Sequence, residues 1–362
     1  MCSNAIHLKS ASMSSAEAFE ERIVHALNEA GLVMMLSLGH RSGLLDVMAD
    51  GAWRSSSELA ERAALNERYV REWLGAMSTA GVVEINSSDH YRLPPEHANL
   101  LTSSGEANLA VYAQFVPGLS VVEDRILDCF RHGGGVDYAH YHRFHEVMAE
   151  DSGQTVLTAL FDHILPLVPG LTERLQDGIR VLDAGCGRGL ALMAMADKFP
   201  DSRFSGYDLS EEAIAWANDQ ARQRGLDNLT FHVRDLSDFD QSATPQAFDF
   251  ITTFDAIHDQ AWPLKVLTGI QISLAPGGVY LAQDIRASST HAGDRDHPLG
   301  TFLYAISTLH CMPVSLAQGG EGLGTMWGRQ RALDYMKQAG FSSVTVHELE
   351  HDIQNDYFVC RK

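Results

Sequence analysis

Residues 179–200 read IRVLDAGCGRGLALMAMADKFP, and this stretch decides the fold of the second half of the chain. A short apolar run is closed by Asp183, glycines follow at the alternate positions Gly185, Gly187 and Gly189, and an Ala- and Met-rich helix comes next. Glycine allows a sharp turn and lets a ligand approach the backbone. A helix N-terminus aimed into that turn offers free N–H groups and a positive dipole end. The pattern predicts a strand–turn–helix unit that holds a small polar ligand.

The chain after this unit alternates strands with helices. We predict strands at Val181–Asp183, Arg203–Asp208, Leu229–Arg234, Phe248–Phe254, Gly278–Asp284, Val344–Leu349 and Tyr357–Cys360. Strand–helix alternation is typical of an α/β fold with a mostly parallel, doubly wound sheet. We therefore expect a Rossmann-like sheet of seven strands in residues 171–362. Ligands of such sheets bind at the carboxyl ends of the strands.

The amino-acid composition and the net charge indicate the general class of protein. The 362 residues are 45% hydrophobic, which predicts a globular chain of two domains or one large one. The net charge of −20 works against non-specific binding to nucleic acid or anionic membranes. No apolar run reaches the roughly 20 residues that span a bilayer, and the N-terminus has no signal-peptide core. The five dispersed cysteines indicate a reducing compartment, so we expect a cytoplasmic protein.

The first 110 residues predict a small helical domain. Residues 1 to about 15 are small and polar without periodicity, which predicts disorder. Helical patterns follow, and two short strands at 82–85 and 90–93 flank a polar turn. Helices followed by such a hairpin are typical of a winged helix-turn-helix. We predict a winged-helix or dimerisation domain at 1–110 and a helical connector at 111–170.

The charge of this domain bears on its role. Residues 1–110 hold eight basic and fourteen acidic side chains, and the helix expected to read DNA, which starts at Asn66, mixes both signs. A DNA-reading face should be rich in cations because phosphate contacts dominate affinity. Packing and dimerisation are the better supported role, and no nucleic-acid partner is expected.

A histidine- and aromatic-rich run, HYHRFH, occupies residues 140–145. On a helix His142 and His145 would share a face. No recognised metal-ligand spacing surrounds them, so we expect no metal. The run is either core packing or one wall of a substrate pocket, and the residues alone do not decide between the two.

The glycine spacing separates two cofactor classes. Dinucleotide folds use GxGxxG over a pyrophosphate, whereas this loop reads GxGxG behind Asp183. A carboxylate there would repel a pyrophosphate but suits S-adenosylmethionine (SAM), which carries an amine and a sulfonium and no phosphate. Asp208, nineteen positions after Gly189, suits a ribose diol. Asp235 and Leu236 follow the third strand, where they suit an adenine edge.

These residues resemble a known family. VLDAGCGRG, GYDLS, the RDL after the third strand and LAPGGVYLAQD look like the motif series of class I SAM-dependent methyltransferases, over residues 178–362. The whole chain resembles a bacterial group, with mycobacterial members, that fuses a winged helix to this fold; FDAIHDQ, HCM, SLA and GLGTMWG carry that likeness. The implied cofactor site comprises Asp183, Gly185, Gly187, Gly189, Asp208, Leu209, Asp235, Leu236 and Phe254.

The fourth strand should deliver residues next to the reactive methyl group. His258 titrates near neutrality and is the candidate proton acceptor, with Asp255 and Asp259 beside it; alternatively, His258 caps or packs the following helix. A thioether acceptor needs no base, because methyl transfer is an in-line displacement that positioning can accelerate. The acceptor atom therefore stays open between O, N and S.

Residues 286–331 depart from the alternating pattern over a length unusual for a connection. We predict a lid over the acceptor pocket; a dimer-interface helix is the alternative. The predicted substrate pocket comprises Tyr141, His142, His145, Tyr304, His310, Met312 and Trp327.

We therefore expect a homodimeric SAM-dependent methyltransferase that acts on a small molecule, with no membrane partner. The alternative functions are a SAM-responsive winged-helix transcription regulator and a SAM-fold protein without transferase activity.

Overall fold

The computed structural model describes residues 14–105 and 107–362. The disorder expected at the N-terminus therefore falls almost wholly outside the described residues. The chain divides into two compact units, one that ends at Pro117 and one that runs from Gly118 to Lys362. Within the described ranges, no helix combines the length and the apolar character needed to cross a bilayer.

The first unit is a helical domain with a small β-hairpin. Its elements are α1 (Ser15–Arg41), α2 (Leu44–Val47), α3 (Ser56–Ala63), α4 (Glu67–Thr79), β1 (Glu84–Ile85), β2 (Tyr91–Arg92) and α5 (Pro95–Leu101). Strands β1 and β2 pair antiparallel as the wing.

Local sequence signals set the helix starts of this unit. Ser55 begins α3 with a capping box, because its backbone N–H donates to Glu58 at 2.8 Å and its hydroxyl accepts from the Glu58 amide. The Asn66 side chain caps α4. The indole N–H of Trp73, on α4, donates to the Met35 carbonyl of α1 at 2.8 Å. Helices and hairpin form the predicted winged helix.

The second unit contains the large sheet. The chain enters it through α6 (Phe115–Ser120). Its further elements are α7 (Glu123–His132), α8 (Phe144–Ser152), α9 (Leu171–Asp177), β3 (Arg180–Ala184), α10 (Leu190–Lys198), β4 (Arg203–Asp208), α11 (Glu211–Arg224), β5 (Leu229–Val233), α12 (Phe239–Ser242), β6 (Phe248–Phe254), α13 (Pro263–Ser273), β7 (Leu274–Ile285), α14 (Gly300–Ile306), α15 (Met312–Ala317), α16 (Gly328–Gln338), β8 (Ser343–His347) and β9 (Asn355–Arg361).

In the described part of the chain this sheet has seven strands in the order β5-β4-β3-β6-β7-β9-β8. The strands from β5 to β7 are parallel, and β9 runs antiparallel to both of its neighbours. The predicted α/β, Rossmann-like sheet is therefore confirmed. The direction of winding reverses between β3 and β6, which are adjacent in the sheet. That reversal places a ligand crevice at the carboxyl end of β3.

Both faces of the sheet are covered by helices. Val181 of β3 packs in a buried cluster with α10 and α11, and the next residue, Leu182, packs in another with α13 and α16. Successive side chains of a strand point to opposite faces, so β3 is buried on both. A rigid, doubly covered strand thus ends in the glycine loop.

The chain before the sheet belongs to the second unit from Gly118 onward. It includes two π-helical turns, Gly153–Leu157 and Leu160–Ile164, whose apolar side chains join the core. The division into 1–110, 111–170 and 171–362 stays a prediction. Residues 286–331 contain α14, a π-helical turn at Ser307–Cys311, and α15; their role as a lid also stays a prediction.

Candidate active site

The glycine loop between β3 and α10 is built for close backbone approach. Gly185, Gly187 and Gly189 have φ values of 81°, 52° and 68°. A Cβ on Gly189 would lie 2.1 Å from the ring of Phe231, and one on Gly185 would lie 2.7 Å from Ala256. At Gly187 the nearest atom to such a Cβ would be a His145 nitrogen at 4.0 Å. The loop is therefore tightly packed at its two ends and open at its middle glycine.

Asp208 ties the loop to the neighbouring strand. Its Oδ2 accepts the Gly187 backbone N–H at 2.8 Å, and its Oδ1 accepts that of Ser210 at 2.8 Å. The Tyr207 carbonyl accepts from the amides of Gly185 and Cys186. These bonds fix the Asp208 carboxylate at the mouth of the loop.

A cavity of about 670 Å³ opens beside this loop. That volume is within the range of pockets that hold small-molecule ligands. Every residue of the predicted cofactor site lines it: Asp183, Gly185, Gly187, Gly189, Asp208, Leu209, Asp235, Leu236 and Phe254. The assignment of each residue to a part of the cofactor stays a prediction, but the structure brings all of them to one surface.

The charge on the cavity wall suits a cationic ligand. Asp183 is 3% exposed, accepts the Thr252 hydroxyl at 2.9 Å, and burial raises its pKa to about 7. The arginines on the wall are engaged with protein groups: Arg188 pairs with Glu212 at 2.7 Å, and Arg234 donates to the Ser242 carbonyl. Arg143 pairs with Glu146. The carboxylates of Asp183 and Asp208 on this wall suit a ligand with a sulfonium and an amine.

The three predicted catalytic residues occupy two different environments. Asp255 and Asp259 line the cavity. Burial raises the pKa of Asp259 to about 6. Burial, reinforced by the charge of Asp284, raises that of Asp255 well above its ordinary value. Asp255 also has a φ of 49°, in the left-handed region where non-glycine residues are strained.

His258 lies behind the wall and is 5% exposed. Its Nδ1 is 2.8 Å from Oδ1 of Asp284, and the same oxygen accepts the Trp327 indole N–H at 2.9 Å. Burial opposes the charged imidazole, but the charge and hydrogen bond of Asp284, together with those of Cys311, outweigh it and raise the pKa of His258 well above its ordinary value. The role of His258 as proton acceptor stays a prediction.

Three of the predicted substrate-pocket residues, Tyr141, His142 and His145, line the cavity. Tyr141 anchors this wall, because its hydroxyl donates to the Leu309 carbonyl at 2.7 Å. The HYHRFH run therefore forms a wall of the cavity near the glycine loop.

The other four predicted pocket residues do not reach the cavity wall. Tyr304 donates instead to Asp294 at 3.0 Å, and Met312 is half-buried near Gly324. Trp327 is 2% exposed in the core beside α13 and α16. His310 is fully buried, with its ring stacked on Phe144 at 3.6 Å between centroids. Their place in a substrate pocket stays a prediction.

Several wall residues were missed at the sequence level. Tyr138, Phe144, Arg188, Gln260 and Val314 line the cavity. Phe144 lies within the quoted run at 140–145 but was not assigned to the pocket, and extending that run by two residues at its start would have found Tyr138. Asp284, which orients His258, was visible only as the carboxylate that ends the fifth predicted strand.

The comparisons with known proteins match both halves of the chain. Residues 30–103 match the family model described as Rv2258c-like winged HTH domain, and residues 175–308 match that of a methyltransferase domain. A 2-heptyl-1-hydroxyquinolin-4(1H)-one methyltransferase of Mycobacteroides abscessus is 34% identical over 105 residues, which cover 28% of this chain and 44% of that protein. The matched region spans less than half of the length of each of the first three curated relatives, namely 24%, 44% and 47%.

Two solved structures share the fold across nearly the whole chain. PigF with S-adenosylhomocysteine has a TM-score of 0.67 at 18% identity, over 97% of this chain and 100% of PigF. Human N-acetylserotonin methyltransferase in complex with SAM has a TM-score of 0.67 at 16% identity, over 97% and 99%. The chain therefore combines an Rv2258c-like winged helix-turn-helix domain with a methyltransferase domain of the class I fold.

Proposed function

We propose that the protein is a SAM-dependent methyltransferase that moves a methyl group from S-adenosylmethionine to an O, N or S atom of a small molecule. The observation that carries this proposal is the convergence of the nine predicted cofactor residues on one cavity at the carboxyl end of β3. The methyltransferase domain at 175–308 supports it. PigF and the human enzyme, solved with S-adenosylhomocysteine and SAM, support SAM as the cofactor.

Different residues of the cavity wall would bind different parts of SAM. Bound SAM supplies an electrophilic methyl group on a sulfonium. Asp208, held by Gly187 and Ser210, presents its carboxylate to the ribose hydroxyls. Asp183 meets the cationic end, where a buried carboxylate attracts positive charge strongly. Asp235 and Leu236 receive the adenine, and the Asp235 side chain is oriented by the Ser237 amide at 2.8 Å.

The acceptor end of the cavity is aromatic. The rings of Tyr138 and His145 stack with centroids 5.1 Å apart, and Phe144 meets Tyr138 edge-on. Flat apolar surfaces of this kind favour a planar, aromatic acceptor. The Mycobacteroides relative is named for a hydroxylated quinolinone, which belongs to this class. We therefore propose a small aromatic acceptor with an ionisable substituent.

The test is conversion of SAM to S-adenosylhomocysteine. The full chain is incubated with SAM and a panel of hydroxylated, amino and thiol-bearing aromatic compounds, and Asp208→Ala serves as the control. Acceptor-dependent S-adenosylhomocysteine formation that is lost in the variant is expected. Equal background formation in both proteins across the panel would contradict the proposal.

The homodimer is proposed from helix α1. Its large apolar side chains are exposed, with Phe19 at 61%, Val24 at 55% and Leu27 at 70%. Exposed apolar surface of this extent on one helix marks an interaction site. We propose that a second copy of the chain covers it.

The cellular setting is also a proposal. The described cysteines, at positions 129, 186, 311 and 360, are free thiols, which supports a cytoplasmic protein. No nucleic-acid or membrane partner is proposed, since the winged helix carries an acidic net charge. The alternative of a SAM-responsive regulator is not favoured by the methyltransferase matches.

A further inference from the structure

The ends of two adjacent strands bring together a buried cluster of ionisable groups. Asp255 directly follows β6, Asp284 lies near the end of its parallel neighbour β7, and His258 lies three residues after Asp255. One ligand atom from each of these side chains lies within 4.8 Å of the other two. The sequence spacing could not reveal this set, because Asp284 comes 26 residues after His258.

Two carboxylate oxygens of this cluster have no hydrogen-bond partner among the described residues. Asp284 is 1% exposed, and its Oδ1 accepts from His258, Trp327 and its neighbour Ile285, yet its Oδ2 accepts nothing. Asp255 Oδ2 accepts the Gln283 amide at 3.2 Å, while its buried Oδ1 accepts nothing. Buried oxygens are almost always bonded, so two such atoms in one cluster point to a missing partner.

The charge of the cluster also indicates a missing partner. The hydrogen bonds to both carboxylates come from His258 and from neutral donors, namely the Trp327 indole, the Gln283 amide and a backbone N–H. His258 can offset the charge of one of the two carboxylates, and the other has no charged partner among these donors, although an unpaired buried charge is costly. A bound cation would supply the compensating charge and would also satisfy both free oxygens.

We propose that Asp255, His258 and Asp284 bind a divalent transition-metal ion of the Mn²⁺ or Zn²⁺ type. Two carboxylates and one imidazole form the mixed oxygen and nitrogen set that such ions accept, whereas Ca²⁺ takes six to eight oxygens. Metal binding would replace the hydrogen bond between His258 Nδ1 and Asp284 Oδ1, because the imidazole must lose its Nδ1 proton to become a ligand. The 2.8 Å between these two atoms is already close to the spacing of neighbouring ligands of one ion, about 3 Å when each bond is about 2.1 Å. Trp327 and Gln283 orient the two carboxylates from behind.

The position of the site connects it to the acceptor end of the cavity. Asp255 lines the cavity, so an ion bound to this residue would lie beside the space proposed for the acceptor. The metal site itself does not depend on the proposed methyl transfer. Its use in holding an acceptor oxygen does rest on that function.

Protons bound to the same side chains are the alternative to a metal ion at this site. A proton on His258 and another on Asp255 would neutralise the same two charges without any metal. Metal binding and proton binding differ in a direct measurement, because only a metal site takes up Mn²⁺ or Zn²⁺ with fixed stoichiometry.

The experiment is a titration of the chelator-treated full chain with Mn²⁺, followed by the electron paramagnetic resonance of free Mn²⁺, and a parallel calorimetric titration with Zn²⁺. One ion per chain is expected. Asp255→Asn and Asp284→Asn should each weaken binding at least about tenfold, and the exposed carboxylate variant Asp334→Asn should not change it. SAM binding is measured on the same preparations.

The absence of stoichiometric binding in the wild type, or equal binding in Asp255→Asn, Asp284→Asn and Asp334→Asn, would overturn the metal site. SAM binding that persists without the metal separates this failure from failure of the proposed function. Circular dichroism and thermal unfolding check that each variant is folded. If Asp284→Asn does not fold, the test rests on the wild-type stoichiometry and on Asp255→Asn, because Asp255 lines the cavity.

Discussion

The backbone N–H of Gly187 donates a 2.8 Å hydrogen bond to Oδ2 of Asp208, which joins the middle of the glycine loop to the end of β4. The second oxygen of Asp208 accepts from Ser210 at the start of α11. One carboxylate thus fixes a loop, a strand and a helix at the same point. These bonds hold the loop in one conformation, which lowers the ordering cost of binding a ligand there.

The first prediction concerns this carboxylate. Asp208→Ala removes both the ribose contact and the bond that holds Gly187, so affinity for SAM should fall. Hydrogen bonds to a charged group contribute about 1.5–3 kcal/mol, which corresponds to a loss of roughly 10- to 150-fold. Isothermal titration calorimetry measures it, with Asp334→Ala as the control. Unchanged affinity in Asp208→Ala would refute the ribose assignment.

The second prediction compares two glycines with the same backbone conformation. Gly189 and Gly225 both have a φ of 68°. A Cβ added to Gly189 would lie 2.1 Å from the ring of Phe231, whereas a Cβ added to Gly225 would have no atom within 4 Å. Gly225→Ala should cost about 1 kcal/mol of unfolding free energy from backbone strain alone. Gly189→Ala should cost at least about 2 kcal/mol more, because the loop must also move away from the ring. Urea unfolding measures both, and equal losses would show that the close approach to Phe231 is not limiting.

The third prediction concerns the pH dependence of stability. Burial raises the folded pKa of Asp183 from 3.8 to about 7, so the folded protein holds a proton there that the unfolded chain has released between those values. Stability should therefore fall as pH rises through that window, by up to about 1.4 kcal/mol per pH unit. Asp183→Asn removes this contribution and keeps an oxygen that can accept from Thr252. Urea unfolding without SAM at pH 5, 6, 7 and 8 should show the wild type losing stability relative to the variant. A constant difference would contradict the burial account.

The fourth prediction tests the proposed dimer. Leu27→Glu places a charge on the exposed apolar side of α1 and should convert the dimer to monomer in sedimentation velocity runs. Tyr69→Glu is the matched control, because Tyr69 is 80% exposed on α4, outside that surface. A wild type that sediments as a monomer, or a Leu27→Glu variant that stays dimeric, would rule out α1 as the interface.

The cavity wall that we propose for the cofactor could be predicted from sequence because its signals are local. The glycine spacing, Asp183 before it and Asp208 at the next strand end each follow from a turn or a strand terminus that the sequence marks directly. Parallel strands then bring those ends to one edge of the sheet by topology alone. The position of each residue at a strand end was therefore enough to predict that they lie on one surface.

The wall that we propose for the acceptor could not be predicted in the same way, because packing between distant segments determines which side chains reach it. His258 faces Asp284 rather than the cavity, and Trp327 follows 43 residues later to bond the same carboxylate. The ring of His310 stacks on that of Phe144, more than 160 residues earlier in the chain. A histidine beside a strand end can point either way, and only these long-range partners determine which.

The most direct test of the central claim is calorimetric titration of the full-length wild-type chain with SAM and with S-adenosylhomocysteine. We expect saturable binding of one molecule of either ligand per chain, with a dissociation constant between about 1 µM and 1 mM, the range of ordinary enzyme–substrate affinities. Absence of binding of both ligands at millimolar concentration, in a chain shown to be folded, would contradict the assignment of this cavity to SAM.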